Sequence, residues 1–87
     1  MITIRNYLFD FRMKQKMTLE KMSIVIGISR NYYDSIEKGV KGDRLSLITA
    51  HKIALVMMIS LDKLILLEQH YQEVKTNDQR TSTRTHH

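Results

Sequence analysis

The sequence predicts an all-α fold, a compact bundle of five helices. Three observations lead there. The 87 residues contain no proline and only three glycines, so few positions break or kink a helix. A Ser or Thr followed by apolar residues at helical spacing recurs five times along the chain. Finally, 43% of the residues are hydrophobic, enough for one core in a chain of this length.

Each of the five starts places a hydroxyl where it can cap free backbone N–H groups. An apolar residue precedes the cap and another follows four places on, as a hydrophobic staple. Thr3 is expected to cap the first helix, with Ile2 and Tyr7 as its staple. Thr18 would cap the second with Met17 and Met22, and Ser29 the third with Ile28 and Tyr33. Ser46 would cap the fourth with Leu45 and Ala50, and Ser60 the fifth with Ile59 and Leu64. Apolar spacing within these windows is helical: Ile4, Leu8, Phe11; Met22, Ile26; Tyr33, Ile36; Leu47, Ala50, Ile53, Ala54, Met57; and Leu61, Leu64, Ile65, running on to Leu67, Tyr71 and Val74. The stretch Gly39–Arg44 reads as the one real loop. Residues 76–87 lack any aliphatic or aromatic side chain, so the domain is expected to span 1–75, followed by a polar, weakly basic tail.

Composition narrows the function. Without cysteine, neither a disulfide framework nor a thiolate metal site is possible. The longest apolar runs fall far short of a membrane span. The opening MITIRNYLFDFR carries charges and no apolar block, so no signal peptide is read and a cytoplasmic location is expected. The six methionines read as core filler, and His51 and His70 have no partner at metal-ligand spacing, so no metal and no cofactor is expected. No Ser-His-Asp set, carboxylate pair or phosphate-cradling glycine loop appears, so no catalytic residues are expected and no enzyme is indicated. The net charge of +5 suits a polyanionic partner.

The informative stretch is LEKMSIVIGISRNYYDSIEK, residues 19–38. Two short helices crossing a tight turn need a small residue where they touch, and Ser23 is small. They need tolerance of positive φ at the turn, where Gly27 stands. They need inner-face apolar residues, here Met22, Ile26, Ile28, Tyr33 and Ile36. With these features, residues 4–65 resemble the Cro and phage-repressor type of helix-turn-helix domain, also called the xenobiotic-response-element family. The resemblance rests on Ser23, on Gly27-Ile28-Ser29, and on Ile36-Glu37-Lys38-Gly39. It rests also on Lys52-Ile53-Ala54-Leu55 and Ser60-Leu61-Asp62-Lys63-Leu64. It implies the lambda-repressor-like fold, with the third helix in the major groove, and a structural ion pair that maps onto Arg12 and Glu37. Three positions depart from the family pattern: Leu19 stands where glutamine is common, Tyr33 where an aliphatic is usual, and Met58 where glycine is frequent.

A recognition helix puts its N-terminal residues into the groove. If Tyr33 and Ile36 face inward, Arg30, Asn31 and Ser35 become the base-reading candidates. Arginine suits guanine O6/N7 and asparagine suits adenine N6/N7. Tyr32 would meet a thymine methyl or a phosphate, and Ser29 stands beside it. The free N–H groups at Thr18, Leu19 and Glu20 suit a phosphate. Lys38, Lys41 and Arg44 suit the DNA backbone beyond.

Beyond Leu64 the fifth helix carries surplus apolar residues, Leu66, Leu67, Tyr71 and Val74. An exposed patch of this kind marks an interface, and here it predicts a homodimer whose third helices lie one DNA turn apart. The expected protein is therefore a dimeric transcriptional regulator, a repressor, binding an inverted-repeat operator in double-stranded DNA. The rival readings are an antitoxin that autoregulates its promoter and also binds a toxin, and an interaction module that no longer binds DNA.

Overall fold

In the computed structural model the described residues are 4–40 and 45–84, with side chains placed through Thr76. They form five helices in the order α1 (Asn6–Lys14), α2 (Leu19–Ile26), α3 (Arg30–Lys38), α4 (Leu47–Met57) and α5 (Leu61–Arg84). Leu8, Met22, Ile26, Tyr33, Ile36, Ile53, Ala54 and Leu64, drawn from all five helices, make the core.

Four of the five predicted caps are formed. The hydroxyls of Thr18, Ser29, Ser46 and Ser60 accept from the backbone N–H three residues on, at 3.0–3.1 Å. The first helix differs. Its N-cap position is Arg5, with no side-chain cap, and not Thr3, which lies outside the described residues. The reason is tertiary. Arg5 N–H donates to the Glu37 carbonyl at 2.8 Å, and this holds the chain out of helix until Asn6.

Helices α1 to α4 end alike. A residue with left-handed φ stands at Lys16, Gly27, Gly39 and Met58. In each case the next N–H closes back on a carbonyl five residues earlier: Met17 to Arg12, Ile28 to Ser23, Val40 to Ser35, Ile59 to Ala54. This is the Schellman arrangement, which satisfies orphan carbonyls at the helix end. Gly27, at φ 90°, lets α2 stop abruptly and turn into α3.

Helix α5 corrects two expectations. It does not stop near Val74 but continues to Arg84, so the stretch read as a polar tail is helical through that residue. No glycine or proline interrupts it, and propagation adds residues to an existing nucleus at little cost. Tyr71 also does not belong to an exposed surplus. It is 5% exposed and lies under the Arg5 guanidinium, 4.5 Å from its ring centre.

Candidate nucleic-acid interface

The site is built on α3. Ser29 ends the turn and caps the helix by accepting from Tyr32 N–H at 3.1 Å. Inward-facing Tyr33 and Ile36 are fully buried. That fixes the helical phase and leaves Arg30, Asn31 and Tyr32 exposed on the outer surface of the first turn. Ser35 is half-buried one turn on, and its hydroxyl donates to the Asn31 carbonyl at 3.0 Å. Asn31 and Ser35 thus share one face of the helix, and Arg30 stands about 100° around from Asn31 in the same exposed first turn.

The phase is held from within. Arg12 of α1 grips Glu37 through Nε–Oε2 and Nη2–Oε1, both at 2.9 Å, and donates through Nη1 to the Met17 carbonyl at 3.0 Å. The two side chains are 12% and 6% exposed. The fork geometry is what makes such a pair worth burying.

At the start of α2, Thr18 accepts from Lys21 N–H, which leaves the Leu19 and Glu20 N–H groups without helical partners. The Leu19 side chain packs against the core, so what it can offer a phosphate is its N–H. Glu20 adds a carboxylate to the same turn, and it complements the positive helix end before any phosphate arrives.

Lys38 reaches Asp34 at 3.2 Å in an exposed i,i+4 pair. Such pairs contribute roughly 0.3–0.5 kcal/mol, so Lys38 can exchange this partner for a phosphate at little cost. Asp34 Oδ1 itself is buried and accepts no hydrogen bond among the described residues. Lys41 and Arg44 lie outside the described residues.

Sequence reading missed a second clamp. Arg5, fully buried, forks onto Glu68 of α5 with Nη2–Oε2 at 2.7 Å and Nε–Oε1 at 3.0 Å. Its Nη1 donates to the Ile36 carbonyl at 2.8 Å, and Tyr7 Oη donates to Glu68 at 2.6 Å. A signal was present. Glu68 falls on the inward stripe of α5, four residues after Leu64 and three before Tyr71. A carboxylate there demands a buried partner.

Among the described residues no group of three or more His, Asp or Glu could hold a metal ion. None of their helices is long and apolar enough to cross a membrane.

Two helices crossing a glycine turn, the second presenting an exposed polar first turn, define a helix-turn-helix protein. A family model described as helix-turn-helix matches residues 8–64, about two thirds of the chain, and the chain belongs to this family, in its Cro and phage-repressor form. It is a DNA-binding transcription regulator, and double-stranded DNA is its partner. Comparison with curated proteins and with solved structures gives no match.

Proposed function

We propose that the protein is a homodimeric repressor that reads an inverted repeat with Arg30, Asn31 and Ser35 in the major groove. The observation that carries this reading is the exposed first turn of α3, set on a helix whose inner face and last turn are pinned. Tyr32, Ser29 and Lys38 flank the readers, and the Leu19 and Glu20 N–H groups, together with Lys41 and Arg44, take the DNA backbone. Dimer contact comes from α5, through Leu67 and Val74, which border a hollow of about 170 Å³ floored by Tyr71 and walled by Tyr7 and His70. Leu66 is 65% exposed and stands about a quarter-turn away, beside this stripe.

Selection of bound sites from a random DNA pool tests the reading directly. Two half-sites about one helical turn apart are expected. With about 6 phosphates neutralised by the dimer, the log–log slope of affinity against salt should be near −5. A flat salt response would overturn the reading.

A second reading, an autoregulating antitoxin, retains the DNA face and needs a separate partner surface. It is favoured by Leu47, Ile48 and Leu55 of α4, each left about two thirds exposed. A toxin that co-purifies with the protein would support it.

A further inference from the structure

We infer that Arg5 is a positioning residue that sets the recognition helix relative to α5, and through it the spacing between the two reading heads. The inference rests on the α5 dimer proposed above.

Arg5 joins three places at once. Its backbone N–H holds the Glu37 carbonyl and its Nη1 holds the Ile36 carbonyl, both in the last turn of α3. Its Nε and Nη2 hold Glu68, about two turns into α5. The planar guanidinium is fixed further by the Tyr71 ring beneath it, and Glu68 is fixed by Tyr7 and by Gln72 Nε2 at 3.2 Å. Arg5 and Glu68 both lie outside residues 8–64, the segment matched by the family. The helix-turn-helix unit is therefore complete without this clamp. What the clamp adds is a rigid connection from the reading helix to the helix that carries the dimer surface. Tyr7 and Tyr71 line the hollow beside Leu67 and Val74, so the clamp sits directly behind that surface.

Arg5→Lys separates positioning from simple stabilisation. Lysine retains the charge opposite Glu68 but cannot span Glu68 and the Ile36 carbonyl with one planar fork. The full chain would be titrated by fluorescence anisotropy against three duplexes: the selected inverted repeat, a single half-site, and the repeat with its spacer changed by one base pair. Melting curves would establish that each variant is folded at the assay temperature. We expect half-site affinity within about twofold of the parent. Affinity for the full repeat should fall roughly tenfold, and the preference for the native spacer should be largely lost, because two heads that cannot engage together lose their avidity. A lower melting temperature with the spacer preference intact would overturn the inference and leave Arg5 a stabilising residue. An equal loss on half-site and full repeat would overturn it as well, by showing that α3 itself is disturbed. If the parent binds the full repeat no better than the half-site, the dimer reading fails first and takes this inference with it; the parent alone reveals that case. Should Arg5→Lys not fold, Glu68→Gln, which preserves shape and removes the charge, is put through the same three titrations.

Discussion

Tyr33 donates its hydroxyl to Glu37 Oε2 at 2.6 Å, onto the oxygen that also receives Arg12 Nε. This explains how a tyrosine occupies a position where the family resemblance implies an aliphatic. The ring fills the core under α3 and the hydroxyl completes the ion pair one turn further on. The second clamp repeats the composition: an arginine fork, a glutamate, and Tyr7 donating at 2.6 Å.

Glu37→Ala should destabilise the fold by about 3–5 kcal/mol, because it strands Arg12 in a poorly hydrated place. Tyr33→Phe should cost about 1–3 kcal/mol, the penalty for leaving a buried carboxylate one donor short. The double change Arg12→Met with Glu37→Leu should recover much of the loss. Urea denaturation of the four proteins checks this. A Glu37→Ala protein that unfolds with the parent would show the pair to be energetically idle.

Stability should fall at both ends of the pH scale, for different reasons. Burial on its own raises the Glu68 carboxyl, but hydrogen bonds from Arg5 and Tyr7, with the Arg5 charge, outweigh it and hold the group below its ordinary 4.5. A depressed carboxyl stabilises the fold above its unfolded value. That contribution is lost as pH drops below about 4.5 and through the lower, folded-state value. Glu68→Gln should flatten this acid limb in denaturation curves. Burial first, and then the bond to a glutamate, push the hydroxyls of Tyr7 and Tyr33 far above their ordinary 10. Their contribution is complete below 10 and is lost as the medium becomes more alkaline. Both should ionise only together with unfolding, seen as a tyrosinate absorbance step that coincides with loss of helical ellipticity. Tyr7→Phe and Tyr33→Phe should each shrink that step.

Met58 adopts φ 58° while 90% exposed, so its side chain obtains little contact in return for a strained backbone. Met58→Gly should stabilise the protein by roughly 1 kcal/mol. Lys16→Gly, at φ 56°, should act in the same direction. Thermal melts decide it, and a loss of stability in both would contradict the strain argument.

Arg30→Ala and Asn31→Ala should each cost about 1–3 kcal/mol on the selected site and much less on random DNA. Neither should change the melting temperature, since both side chains are exposed on the outer turn. Equal losses on specific and random DNA would mark the residue as a phosphate contact.

Replacing Leu67 and Val74 together with Glu should leave a helical monomer by light scattering and weaken binding to the inverted repeat while sparing the half-site. Tyr71→Glu should instead unfold the chain, because it buries a charge against the core and removes the ring beneath Arg5. If the Leu67, Val74 variant remains dimeric, the interface lies off this stripe.

Much of the scaffold was legible from the chain because its signals are local. A capping hydroxyl, a staple and a glycine turn are each read within a few residues, and they placed α2 to α5 to within a residue at their starts. The errors arose where distant residues decide. Arg5 is drawn out of helix by a carbonyl of residue 37 and a carboxylate of residue 68, and no local rule contains either. By sequence alone Tyr71 reads as surplus on α5, because the cation that covers it lies at the other end of the chain. The inward placement of Glu68 could have been noticed from its register with Leu64, but its partner could not.

The bonds that anchor α3 fall on its buried face and its last turn, at Tyr33, Ile36 and Glu37. Arg30 and Asn31 carry none of that load. If Arg30 and Asn31 read the bases as proposed, recognition and folding are written in separate letters of one short helix. On that proposal, exchanging two or three of these exposed residues would alter the target without the fold passing through an unstable intermediate.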